Sequence, residues 1–90
     1  MKRIWKWTLE VTDRQLLTLP RGAEILAVQM QGPSPQLWAL CDPDAFPSAR
    51  EIAIIGTGHA IEAPPGRYIS TFQMHDGQLV FHAFEREYRP

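Results

Sequence analysis

Ninety residues with a formal net charge of −1 and a sequence pI near 6.3 make one domain, and that balance argues against a protein living on phosphate backbones. The single cysteine, Cys41, excludes an intrachain disulfide and a cysteine-based zinc site. No apolar run approaches a membrane span, and 44% apolar with 21% charged residues is an ordinary globular composition. The start, Met1-Lys2-Arg3-Ile4-Trp5-Lys6-Trp7, sets charge and tryptophan where a signal peptide needs an apolar stretch. A cytoplasmic protein is expected, with Cys41 as a half-buried thiol in a reducing compartment.

In chain order, Trp5, Trp7, Leu9 and Val11 alternate with Ile4, Lys6, Thr8 and Glu10, which is the period of a strand with an aromatic inner face. Thr12-Asp13-Arg14 is turn material, Gln15 to Leu19 reads as a short strand, and Pro20-Arg21-Gly22 ends it. Glu24 to Gln31 is a strand with Leu26, Val28 and Met30 on one face and Ile25, Ala27 and Gln29 on the other. Apolar residues on both faces predict a central position. Gly32-Pro33-Ser34-Pro35 closes a hairpin, Gln36 to Cys41 returns, and Asp42-Pro43-Asp44 stops the strand. Ala45 to Arg50 reads as a loop.

Glu51 to Ile55 is a β-branched run too short for a helix. Gly56-Thr57-Gly58-His59 follows, then a short strand over Ala60-Ile61-Glu62-Ala63. Arg67 to Met74 is a long strand, Asp76-Gly77 is a two-residue hairpin signal, and Gln78 to Glu85 returns. The charged end from Glu85 to Pro90 is expected to fray. The fold class is all-β: one antiparallel sandwich or barrel over 1–90, of about eight strands.

A repeat organises those strands. Pro20, Gly22, Gln29 and Met30 return without a gap, 44 residues later, as Pro64, Gly66, Gln73 and Met74. The pseudo-equivalent halves are 3–44 and 48–88. Hairpins 22–42 and 66–86 are expected to be equivalent, related by a rotation close to 180° that buries one apolar face of each against the other. Gly22 and Gly66 should then match in backbone position and surroundings, Met30 and Met74 in depth, and Gln29 and Gln73 in face.

Gly56-Thr57-Gly58-His59 is the leading candidate site. Its glycines let backbone N–H groups approach a ligand, Thr57 adds a hydroxyl and His59 a group titrating near neutrality. The bland alternative is a tight turn whose glycines serve geometry. His82, between Phe81 and Phe84, fits a histidine hydrogen-bonded within the fold, and His75 an exposed turn residue. Three scattered histidines give no metal-ligand spacing, and no cofactor is called for. Asp42 and Asp44 suit local turn capping better than acid–base chemistry. No nucleophile context or catalytic constellation is present, so an enzyme is not expected. Nine aromatics exceed what so small a core can cover, which leaves some for an interface.

Taken together, Ile4-Trp5-Lys6-Trp7, Pro20-x-Gly22-Ala23-x-Ile25-Leu26, Leu37-Trp38-Ala39-Leu40-x-Asp42-Pro43, Gly56-Thr57-Gly58-His59 and Leu79-Val80-Phe81-His82 resemble a family of short proteins encoded by bacteriophages and prophages. Cys41 and Phe46 depart from its pattern, where a small aliphatic and a more polar loop are expected. The resemblance implies a product acting inside an infected bacterium and supplies no catalytic residues. The expected function is a non-enzymatic binding protein, homo-oligomeric, that engages a host protein or small ligand, with inhibition of a host defence system as a fitting role. One alternative is a sponge for a signalling nucleotide, with Gly56 to His59 on phosphate, Trp38 or Tyr68 stacked on a base, and His82 nearby. Another is a minor virion or assembly component.

Overall fold

The computed structural model describes residues 1–61 and 63–88. Seven strands are present among them: β1 Arg3–Thr8, β2 Gln15–Pro20, β3 Glu24–Gln31, β4 Ser34–Cys41, β5 Pro47–Gly56, β6 Arg67–Met74 and β7 Leu79–Arg86. They form two antiparallel sheets, one ordered β1-β4-β3 and the other β2-β5-β7-β6. The fold is therefore all-β, as expected, and it closes as a sandwich. The inner faces meet through Leu19, Val28, Leu37, Ala39, Ile52, Ile54, Phe72 and Ala83, all buried.

The halves share a plan. In each, the return strand of a hairpin sits in the middle, flanked by its hairpin partner and by an earlier strand: β1-β4-β3 and β5-β7-β6. Near the hairpin tips the register is the same 44 residues on. Val28 faces Leu37 as Phe72 faces Phe81, and Met30 faces Pro35 as Met74 faces Leu79. Gln29 and Gln73 are both exposed, and Met30 and Met74 both half-buried. Each outgoing strand carries a bulge, between Ile25 and Ala27 in β3 and between Tyr68 and Ser70 in β6. The hairpins meet along β3 and β6, where the buried Val28 N–H donates to Ser70 Oγ at 3.0 Å.

Several expectations need correction. β3 is an edge strand of its sheet, not a central one. Its apolar residues fall on both faces because the bulge at Leu26 breaks the alternation, so Ile25 and Val28 are both buried while Leu26 is exposed. β5 begins at Pro47 rather than Glu51, because Ser48, Ala49 and Arg50 pair with Leu19, Thr18 and Leu17 of β2; the proline stands at the first position of the strand, where a missing donor is tolerated. Of the expected eighth strand, the described residues Ala60, Ile61 and Ala63 are outside any strand, and Glu62 lies outside the described residues. β5 and β6 run parallel on either side of β7, so the chain between them must travel the length of the sheet, and Pro64-Pro65 lacks donors for pairing on the way. The turn after β6 is, by contrast, the expected one: Asp76 and Gly77 take positive φ at its centre, and Gln78 N–H donates to His75 O at 3.1 Å across it. Cys41 is fully buried, not half-buried. Arg89 and Pro90, at the end expected to fray, lie outside the described residues, while Glu85 and Arg86 belong to β7.

Gly22 and Gly66 both have positive φ, +79° and +98°, but their surroundings differ. A Cβ on Gly22 would meet nothing within 4 Å, whereas one on Gly66 would lie 2.2 Å from the carbonyl oxygen of Glu85. Gly66, just before β6, lies against the backbone of β7, whereas Gly22, just before β3, has no such contact.

One end of the sandwich is closed by an ion pair. Arg50 holds Glu85 with Nε on one carboxylate oxygen and Nη2 on the other, the latter at 3.0 Å, and its Nη1 donates to Ala23 O at 2.9 Å. The pair joins β5 and β7 to the residue that leads into β3, so it ties one sheet to the other. The bond to Glu85 raises the Arg50 pKa above the ordinary arginine value, against the opposing effect of burial.

Candidate functional site

Gly56 to His59 forms the turn at the end of β5, and its geometry follows from local contacts. The His59 ring lies on Gly56: a Cβ there would be 3.2–3.3 Å from three ring atoms, so the glycine makes room for the imidazole. Gly58 takes φ +87°, which suits glycine. Two of the loop's amides are committed, Thr57 N–H to Val80 O at 3.0 Å and His59 N–H to Gly56 O at 3.1 Å. A backbone cradle for phosphate needs those donors free. A hollow of about 270 Å³ opens beside the turn, lined in part by His59, Leu79 and Phe81.

From this turn a polar chain runs across the outer face of the four-stranded sheet. Thr57 Oγ1 lies 2.7 Å from His82 Nε2, His82 Nδ1 lies 3.0 Å from Thr71 Oγ1, and Thr71 Oγ1 lies 2.7 Å from the Tyr68 hydroxyl. Thr57 Oγ1 is also 3.3 Å from Val80 O, which can only accept. The donor and acceptor roles follow the His82 tautomer: with the proton on Nε2, Tyr68 donates to Thr71, Thr71 to Nδ1, Nε2–H to Thr57, and Thr57 to the carbonyl. Tyr68 also rests edge-on against Phe84, with ring centroids 5.7 Å apart. His82 is thus bonded on both nitrogens within the fold.

Of the seven candidate residues, the structure brings Gly56, Thr57, Gly58, His59 and His82 together and adds Tyr68 through Thr71. Trp38 stands apart, on β4 in the other sheet. Thr71 went unnoticed in the sequence, although the Asp76-Gly77 turn signal already sets it opposite His82 in the hairpin register. Asp42 does what a turn aspartate does: its Oδ1 accepts from Asp44 N–H at 3.0 Å and its carbonyl from Ala45 N–H at 3.1 Å. No group of three or more metal-ligating side chains occurs among the described residues. Thr71→Val, which cuts the chain at its middle, is expected to lower stability by about 1 kcal/mol, read as a fall in urea midpoint without a change in slope.

The outer face of the three-stranded sheet is of another kind. Ile4 and Lys6 of β1 lie opposite Leu40 and Trp38 of β4, and Glu24 and Ala27 of β3 lie opposite the same two from the other side. Ile4 is 60% exposed, Trp38 and Leu40 are half-buried, and Leu26 stands out at the bulge. Glu24, Lys6, Gln29 and Gln31 rim this apolar centre. Phe46, 81% exposed, projects from the loop that follows β4.

A family model described as a domain of unknown function, DUF7352, matches residues 1–90. The chain belongs to this family. No curated protein and no solved structure matches it. No helix among the described residues of this domain is long and apolar enough to cross a membrane.

Proposed function

We propose that this domain is a non-enzymatic binding module, encoded by a phage or prophage, that engages a protein of the host cell in the host cytoplasm. The observation that carries the reading is the outer face around Trp38. Most exposed apolar residues of a small domain are scattered. Here Ile4, Trp38, Leu40 and Ala27 adjoin one another across three strands, inside a polar rim. A central aromatic with an excluded-water border is the anatomy of a protein interface. Inhibition of a host defence system is a role this surface suits, since blocking a partner needs a docking face and no chemistry.

The nucleotide-sponge reading draws less support. Trp38 and the Gly56–His59 turn belong to different sheets, and two amides of that turn are already bonded. A role in the virion would place the protein in purified particles, where mass spectrometry would find it.

Capture from infected-cell lysate tests the proposal. Ile4→Lys changes an exposed side chain, and Trp38→Ser removes the central ring. The host partner retained by the wild-type protein should be held at least about tenfold more weakly by either variant, while Ile4→Lys keeps its melting temperature. Equal retention by all three would overturn the proposal.

A further inference from the structure

We propose that β1 is a twofold interface, its open edge pairing with the same edge of a second copy to make a six-stranded sheet. β1 pairs with β4 on one side and, among the described residues, with nothing on the other. β5, which stands to β7 as β1 stands to β4, carries β2 on its outer edge. The position equivalent to β2 beside β1 is the one expected of residues 60–63, whose described members lie outside any strand. An unpaired edge presents a row of N–H and C=O groups ready for a strand.

The edge lacks the usual protection. A lysine in mid-strand normally guards such an edge, but Lys6 turns back over its own sheet and donates to Gln31 Oε1 at the end of β3. Between the exposed Arg3 and Thr8 at its ends, the edge carries apolar side chains: Ile4, 60% exposed, and Trp5, 42% exposed and set edge-on to Trp7 with centroids 6.3 Å apart.

Register identifies the occupant as a second copy. Residues opposite one another in an antiparallel pair share a face. A twofold axis normal to the sheet must therefore pass through a residue, not between two. An axis at Arg3 or Lys6 sets like charges face to face, and one at Ile4 sets Lys2 against Lys6. An axis at Trp7 leaves only Lys6 to Thr8 within the strand. An axis at Trp5 pairs Arg3 to Trp7 in full: Trp5 meets Trp5, Ile4 meets Lys6, and Arg3 meets the Trp7 ring, a favourable cation–aromatic contact. It is the longest register that opposes no like charges, and a closed twofold leaves no edge for further growth at β1.

Sedimentation at a series of concentrations should show a monomer–dimer equilibrium in the wild-type protein. Trp5→Arg, which sets two guanidinium groups on the axis, should raise the dissociation constant at least about tenfold while the far-UV spectrum is unchanged. Trp5→Cys should give a disulfide-linked dimer on oxidation, because residue 5 faces itself; Trp7→Cys should not, because residue 7 faces Arg3. A wild-type monomer at the highest soluble concentration overturns the proposal and leaves the edge to a foreign strand. Equal cross-linking of the two cysteine variants overturns the register and with it the interface. Neither readout involves a host partner, and Trp38→Ser, on β4 away from this edge, tests host capture without touching the β1 interface, so the two proposals fail separately.

Discussion

Gly66→Val is expected to lower stability by about 3–5 kcal/mol, the largest single loss at any glycine of the chain. Two effects combine. A β-branched residue at φ +98° is strained by about 1–3 kcal/mol. Its Cβ would also lie 2.2 Å from Glu85 O and 2.8 Å from Glu85 C, and backbone in the middle of a sheet cannot step aside as a side-chain end can. Forcing that fit costs about another 1–3 kcal/mol. Small domains hold only about 5–15 kcal/mol in total, so the variant should unfold in little urea. Gly22→Ala is the control: its φ is also positive but the space is open, and about 1 kcal/mol is expected. Equal losses at the two glycines would show that the contact with β7 has no energetic weight.

Arg50→Ala is expected to cost about 2–4 kcal/mol. Both side chains of the pair are about four-fifths withdrawn from water, with exposures of 20% and 17%. The variant strands the Glu85 carboxylate without its two-point partner and leaves Ala23 O without its donor, and an abandoned part-buried charge is more damaging than the pair was stabilising. Arg50→Lys should recover less than half of the loss, since an ammonium cannot make the parallel bonds of a guanidinium. Full recovery would mean that only charge matters at this site. The sign of the pH dependence follows from the raised arginine pKa. A cation stabilised by folding contributes fully below its unfolded pKa and is lost only as pH rises past the folded one, so the Arg50 side of the pair stays intact across the neutral and acid range.

What could be read in advance was whatever the period of two controls. Alternation and turn signals locate β1, β2, β3, β4, β6 and β7 to within a few residues, because a strand that packs one face must repeat every second position. The misreadings occur where tertiary contacts decide. Leu26 looks like a core residue of an unbroken strand, and only the bulge puts it outside. Ser48 to Arg50 looks like a loop, since nothing local says that β2 waits beside it. At the candidate site, the glycines and histidines of Gly56 to His59 were visible, and the Thr71–His82 pairing was implied by the hairpin. That Trp38 belongs to another surface was not, because sheet membership depends on long-range pairing that spacing along the chain does not encode.

The crossing of β2 to the far sheet has a consequence for synthesis. The first two strands leave the ribosome with nowhere to go: among the described residues β1 pairs only with β4, and β2 only with β5. Gln15 must wait for Ile52, which at about 5–20 residues per second is a delay of a few seconds. During that interval Leu17 and Leu19 have no sheet to enter. The β3–β4 hairpin, whose strands are adjacent in the chain, is the first element that can close, and it offers β1 its place beside β4. β2 remains an orphan until the second half of the chain arrives, so the N-terminal half cannot finish folding on its own however complete its sequence repeat looks.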